Sequence, residues 1–453
     1  MRPSRAILGL ASFAIAISVA STAEAANRRG IPRGFGGAGA RDSFRVDDIV
    51  AAIVANAPAG ATIVLPAGRY PTAVVLDRRV RLVGSAFGTT LEASNPGRPA
   101  ITVARGVADV TIESLTILGG LPASFVAEGG NDRLALRGVL FDAAPGDGAR
   151  IAGGDGIVVD RCTFQRAGGA GLDLGGRSVR ATRLVFRPFG GPGLVLRGEN
   201  VSVTDSSFEG GPQGVVFGGL RADVSRSAFR GVFVAARMGP DADACSFRRN
   251  DVRAASNAFV ADVGSTLGVV EDNRIASTSG DAIRLLGTSH AVTGNVVAGS
   301  GGAGVVGTGT SLRVADNRFE SPQGDGVVLT GDGNTVDSNA ILTPGGVAVA
   351  IDGDRNVLAQ NDCRGAQGDA IVLAGGANRL VDNTIVGAAA EGIRVAGDAN
   401  TLQGNVVRET VGNGLHVEAG VANVLEKNRM SDCGGRGFLD EGVGTVLKMN
   451  RVD

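Results

Sequence analysis

The phrase VADNRF at 314–319 returns as VDSNAI at 336–341, LAQNDC at 358–363, LVDNTI at 380–385 and LQGNVV at 402–407. Each copy carries an aliphatic residue, an asparagine three positions later, and another apolar side chain two positions after that. The interval is 22 residues. Followed outward, the asparagine column comprises Asn250, Asn273, Asn295, Asn317, Asn339, Asn361, Asn383, Asn405, Asn428 and Asn450, in steps of 22 or 23. A second series, Asn334, Asn356, Asn378, Asn400 and Asn423, runs five residues ahead of the first. Towards the N terminus the register continues without asparagine through Ser227, Ser206, Leu184, Cys162, Val139 and Leu115. Self-similarity at a short fixed period marks a stacked repeat.

Around each ladder position the apolar residues alternate with polar ones, and a third alternating pair follows, as in Ile283/Leu285, Val327/Leu329, Ile371/Leu373 and Leu415/Val417. Period two is the pattern of a strand with one face buried. Gly-rich corners such as Gly324-Asp325-Gly326 separate the pairs. A unit of three short strands cannot bury its inner face alone, whereas stacked copies share one continuous core. The expected fold is therefore an all-β parallel β-solenoid of about 16 coils, roughly 75 Å long at one strand spacing per coil. A buried amide at a bend can bond to identical amides above and below, so the asparagines read as a structural ladder. Phe141, Phe164, Phe186, Phe208 and Phe229 share an inward column and are expected to stack.

Composition narrows the function classes. The chain has 453 residues and 72 glycines, which follow no three-residue period, so collagen is excluded. A hydrophobic content of 43% excludes disorder. Basic and acidic residues balance at 44 and 45, which gives no polycationic face for nucleic acid. Trp is absent, Tyr occurs once and His twice, at His290 and His416, removing most of the usual catalytic vocabulary. Residues 1–25 read as a signal peptide: Arg2 and Arg5 precede an apolar stretch, and Ala23-Glu24-Ala25 supplies small residues for cleavage. Export to the periplasm or the exterior follows, with a mature chain starting near Ala26 and no membrane span within it. Residues 26–45 form a Gly/Arg-rich leader. Residues 46–100 read as an N-terminal cap with the first strands, and 101–453 as the repeats. Within the cap a helix is expected over 46–57, with Asp47 and Asp48 in its first turn and Ile49, Ala52 and Ile53 on its apolar side. At the other end, charges on the last coil resist edge pairing, or a partner covers it, leaving an end-to-end or lateral oligomer open. The four cysteines lie three or more coils apart within each nearer pair, too far for a disulfide.

The 22-residue coils, the asparagine ladder, the phrases Gly-Asp-Gly-Val-Val-Leu (324–329) and Gly-Asp-Ala-Ile-Val-Leu (368–373), and the entry Ala-Thr-Ile-Val-Leu-Pro-Ala-Gly-Arg-Tyr (61–70) resemble right-handed parallel β-helix repeats of the pectin-lyase-like superfamily. The resemblance spans essentially the whole mature chain and implies that fold. It implies no single activity, because the group includes pectate lyases, polygalacturonases, alginate epimerases, phage tailspikes and non-catalytic repeat proteins. The Asn-Thr-Asp, Asp-Asp, Gly-His-Gly and Arg-Ile-Lys pattern of polygalacturonases is absent, as is the Asp-Pro-His-Asp signature of alginate epimerases. No catalytic residue carries over.

Two constellations remain. Asp281, Asp325 and Asp369 recur on alternate coils, roughly 10 Å apart, a separation comparable to that of the carboxyls of inverting glycosidases. The plainer reading is that a Gly-Asp corner needs a polar turn residue. Glu391, Arg394, Asn413, His416 and Glu418 gather on adjacent coils, with Arg394 and His416 in one outward column. Arg394 could neutralise a uronate carboxylate while His416, aided by Glu391, removes a proton. Asp281, Asp325, Asp369, Asn413 and Glu418 would then contact the sugar. Between Arg284 and Arg394 that column reads Val306, Val328, Ala350 and Val372, a small apolar stripe that a turn or a partner would cover. Three functions follow: an exported binding or scaffold surface for carbohydrate or a cell-envelope partner; a lyase, C5-epimerase or hydrolase of uronate chains; and an accessory protein of periplasmic metalloenzyme maturation. The lack of an assembled site favours the first. No cofactor is expected, and calcium is the one ion the acids could take.

Overall fold

Alternating burial along each unit produces three short strands joined by sharp corners, as in Thr335–Asp337, Ala340–Leu342 and Val349–Asp352. The structure, a computed structural model, describes residues 14–16, 48–85 and 88–453. The expected signal peptide and leader lie outside the described residues, except that Ala14–Ala16 form a strand beside Thr62–Val64. Every strand pairs in parallel with its counterpart one coil away, building three sheets of 19, 18 and 17 strands. The first sheet contains the aliphatic column Val336, Leu358, Leu380 and Leu402 in direct register. The second follows the ladder, and the third holds pairs such as Ile371/Leu373 beneath Ile393/Val395. All of these inward residues are buried.

The solenoid makes about 18 turns rather than 16. The strands expected to follow the helix form the first turns: Thr62–Leu65, Gly68–Thr72 and Val74–Leu76 pair in register with Arg81–Gly84, Thr89–Ala93 and Ile101–Val103. These first turns depart from the 22-residue interval and lack the asparagine, so periodicity alone did not reveal them.

From Ser114 onward the corner between the first and second sheets is the same in each repeat. The residue before the ladder position is left-handed, with φ of 57° at Asp316, 54° at Ser338, 53° at Gln360 and 54° at Asp382. The asparagine that follows turns inward. Asn339 shows the full pattern: its Oδ1 accepts the backbone N–H and the Nδ2 amide of Asn317, both at 3.0 Å. Its Nδ2 donates to Val314 O at 2.9 Å and to Asn361 Oδ1 at 3.0 Å. The amide–amide bonds run without interruption from Asn250 to Asn450 at 2.9–3.1 Å. Ser227 and Ser206 continue the column by accepting the next backbone N–H on their hydroxyls, each at 3.1 Å.

The second asparagine series works differently. Its side-chain oxygens accept backbone N–H groups of the preceding coil, as Asn356 Oδ1 does from Asn334 at 2.7 Å. The amide nitrogens of Asn334, Asn378 and Asn400 reach backbone carbonyls rather than one another, whereas those of Asn356 and Asn423 are buried without a partner. His290 occupies this column as a substitute: Nδ1 accepts the Gly268 N–H at 2.9 Å, and Nε2 lies 3.3 Å from Ser265 Oγ. Burial pushes the His290 pKa down to about 4 from 6.5. In the interior, the rings of Phe141, Phe164, Phe186, Phe208 and Phe229 stack nearly parallel with centroids 4.6–4.9 Å apart.

The N-terminal helix is Ile49–Asn56, and Asp48 is its N-cap rather than a first-turn residue, accepting the Ala51 N–H at 2.8 Å. The same carboxylate takes the Thr72 hydroxyl and the Ala73 N–H, tying the helix to the rod. Val50 and Val54 are buried, while Ile49 and Ala52 face solvent. The helix is apolar nearly all round, so the sequence could not select the buried face. At the opposite end the inward residues Leu447 and Val452 are 53% and 57% exposed. The four cysteines are unpaired; Cys162 and Cys363 are buried, and desolvation pushes both thiols up to about 12.

Asn339→Ala should lower unfolding stability by about 3 kcal/mol, because it orphans Asn317 and Val314 in the core. Asn339→Ser should lose about half as much, since a hydroxyl keeps the backbone acceptor; urea midpoints measure both. His290 stays neutral in the fold while the unfolded chain protonates near pH 6.5, so its contribution is complete above pH 6.5 and is lost as pH falls towards 4. His290→Asn should therefore gain on the parent as pH falls through that window, by on the order of 3 kcal/mol at its acid end in denaturation curves.

Candidate functional site

The third sheet displays one outward residue per coil. Arg284, Val306, Val328, Ala350, Val372, Arg394 and His416 stand in direct register. The four stripe residues are half-buried on the sheet rather than sealed beneath a covering turn.

The corner acids have a common structural task. Asp281 Oδ1 accepts the Ala303 N–H at 3.0 Å, Asp325 Oδ1 the Val347 N–H at 2.7 Å, and Asp369 Oδ1 the Glu391 N–H at 2.9 Å. Asn413 Oδ1 does the same for Arg436 at 2.8 Å. At three of these corners the cap lies over a glycine preceding the N–H it holds: a Cβ at Gly302, Gly346 or Gly435 would collide with Asp281, Asp325 or Asn413. A Gly-Asp corner on alternate coils is thus a backbone device, which accounts for the acids expected to contact sugar. Asp147, holding the Ala170 N–H at 2.8 Å, is an earlier member of the set.

Arg394 and His416 do come together with Glu391, Asn413 and Glu418, as the sequence indicated. Arg394 Nε donates to Asp369 Oδ2 at 2.8 Å and Nη1 to Glu418 Oε2 at 3.2 Å. The hydrogen bond that Arg394 donates to Asp369 holds the guanidinium pKa above its ordinary value. His416 Nδ1 lies 3.0 Å from both Glu391 oxygens, and Nε2 lies 3.2 Å from Glu441 Oε2. Asn413 Nδ2 donates to Glu391 Oε1 at 2.9 Å. Both ring nitrogens of His416 face carboxylates, and the ring is only 13% exposed. Glu441 was missed as a site residue; it sits 25 positions beyond His416 in an irregular last coil, so no column spacing marked it. Four carboxylates surround one arginine and one histidine, which leaves the cluster short of positive charge.

Three of the shallow depressions among the described residues lie elsewhere. Two, of about 370 and 640 Å³, follow the ladder corner and include Arg161 in the first and Arg183 and Arg226 in the second. A third of about 420 Å³ lies at the corner between the second and third sheets, beside Phe233. None of these three is lined by Arg394 or His416. Among the described residues no three His, Cys, Asp or Glu side chains converge as a metal site, and no helix is long and apolar enough to cross a membrane.

Asp369→Ala should cost about 2–3 kcal/mol, because it uncovers the Glu391 N–H and leaves Arg394 with one partner. Asp325→Ala, which removes only the cap, should cost about 1 kcal/mol. Chemical denaturation of the two variants checks the order.

The chain is similar in fold to several solved structures. The N-terminal fragment of bacteriophage phi29 gene product 12 shares 9% identity, with 86% of this chain and 88% of that one covered and a TM-score of 0.55. The periplasmic alginate epimerase AlgG shares 10% identity over 86% and 84%, with a TM-score of 0.33. A mannuronic acid specific polysaccharide family 6 lyase from human gut microbiota shares 15% identity over 67% and 82%, with a TM-score of 0.40. No curated protein sequence matches the chain. The family described as the right handed beta helix region matches residues 147–341 and 303–452. With that match, three parallel sheets and the asparagine ladder, the chain belongs to the right-handed β-helix family.

Proposed function

We propose that this chain is an exported, non-catalytic β-helix that offers a rigid surface to an extended carbohydrate chain of the cell envelope or its surroundings. The observation that carries the non-catalytic reading is the closure of the Arg394–His416 cluster. A substrate proton would have to displace a carboxylate to reach His416, since Nδ1 faces Glu391 and Nε2 faces Glu441. A cation that neutralises a uronate must be uncommitted, and Arg394 is shared by Asp369 and Glu418. A further carboxylate brought there would meet like charge from all four acids.

The binding reading is supported by the third sheet, whose outward column places half-buried valines between Arg284 and Arg394 at one residue per coil. Parallel pairing and the internal ladder fix that spacing, so a linear polymer would meet the same kind of surface at each step. Such a surface is organised before the ligand arrives, and little conformational entropy is lost on binding.

Titration of the mature protein by NMR against pectate, alginate and neutral glycans, with and without calcium, tests this reading. Binding without turnover is expected. Ligand turnover that is lost in His416→Ala would instead establish a uronate lyase or epimerase, and neither binding nor turnover would move the search to a protein partner. For export, N-terminal sequencing of the secreted product is expected to start near Ala26; an intact Met1 on the cellular protein would overturn it.

A further inference from the structure

We infer that the corner at Phe233 is a subsite for an uncharged pyranose, a proposal that rests on the carbohydrate-binding reading and names the ligand class. Its chain neighbours Val232 and Val234 are buried, whereas the Phe233 side chain turns outward and is 65% exposed. The backbone beneath it is pinned on both sides. The Phe233 N–H donates to Gly211 O at 3.0 Å, and Phe233 O accepts the N–H groups of Ser256 and Asn257 at 2.8 and 3.1 Å. The exposed ring therefore stands on a rigid ladder rather than on a loose loop. Phe189, two coils earlier near the same corner, shows the alternative: it is 7% exposed and lies so close to Gly211 that a Cβ there would strike its ring.

Phe233 borders the depression of about 420 Å³, a volume within the range of small-molecule sites. Small residues such as Gly211 and Ala254 form part of its wall, so a ligand can approach the backbone closely. Ser256, Ser277 and Ser279 also line it; Ser256 is half-buried and the other two are exposed, so their hydroxyls are within reach of a ligand. A hydroxyl both donates and accepts, which suits the hydroxyl groups of a sugar. An aromatic face suits the apolar C–H face of a pyranose ring, where dispersion and the ring quadrupole act together. No charged side chain lines the depression. A uronate carboxylate would find no cationic partner within that lining, whereas each lining hydroxyl can serve a neutral sugar.

Titration of the full mature chain, with ring-labelled phenylalanine, against β-1,4-linked glucose and mannose hexaoses and an oligogalacturonate tests this assignment. At least one neutral hexaose should shift the Phe233 ring signal, and Phe233→Ala should weaken its binding at least tenfold with the circular dichroism unchanged. Phe233→Tyr should retain binding, and Ser277→Ala with Ser279→Ala should weaken it severalfold. Equal affinity of Phe233→Ala for the neutral hexaoses, or shifts confined to the third sheet, would overturn the subsite while leaving carbohydrate binding in place. Failure of all three oligosaccharides would overturn both readings. Saturation of the Phe233 signal by an apolar peptide, with no shift from either hexaose, would assign the depression to a protein partner and overturn the proposal.

Discussion

At each ladder corner from Asn250 to Asn450, between the first and second sheets, one residue is held in a left-handed conformation and the next turns an amide into the core. The first of these is unfavourable for an L-residue by roughly 1–2 kcal/mol, and most of the positions are not glycine. The second would be worse still if the amide went unpaired in an apolar interior. Each penalty is met by the same bonds: one asparagine oxygen takes a backbone N–H and an amide N–H from the coil before it, and its nitrogen passes the pattern onward. No coil can satisfy its corner alone. The rod is therefore cooperative along its axis, and the rest of the architecture follows from keeping this one column in register.

The constraint explains where variation is allowed. Inward columns are confined to aliphatic residues, phenylalanine and a few small substitutes such as Ala181 and Cys363. Corner columns accept several solutions to one bonding problem: serine at 206 and 227, histidine at 290, and aspartate at 281, 325 and 369 each supply an acceptor for a backbone N–H of the neighbouring coil. Outward columns carry whatever the surface requires. The chain's chemistry is accordingly sparse, and most of its surface charge is spent on ion pairs such as Arg133–Asp109 and Arg226–Asp205. Exposed pairs of this kind contribute little stability, typically below about 1 kcal/mol each.

Much of the fold and part of the site were legible in the sequence because both depend on register. Once the 22-residue interval was recognised, Arg394 and His416 had to be neighbours, and Glu391, Asn413 and Glu418 had to lie close to them. What register cannot convey is the direction in which a long side chain turns. Asp369 reaches Arg394 from the preceding coil, and Glu441 reaches His416 from the following one. These two contacts tie Arg394 and His416 into one network with acids of the neighbouring coils. Phe233 escaped notice for a related reason: it lies in a corner whose length varies between coils, so no column marked it as outward.

The sequence by itself determined the repeat, the identity of the buried columns, the ladder and the parallel stacking, because each follows from the spacing of residue types along the chain. It did not determine the first turns, whose spacing is irregular, nor the buried face of a helix that is apolar nearly all round. The tertiary structure alone decided which polar groups are already engaged. Whether a histidine is free, an arginine uncommitted or an aromatic ring uncovered depends on distances between side chains of different coils, and those distances are fixed only when the coils have stacked.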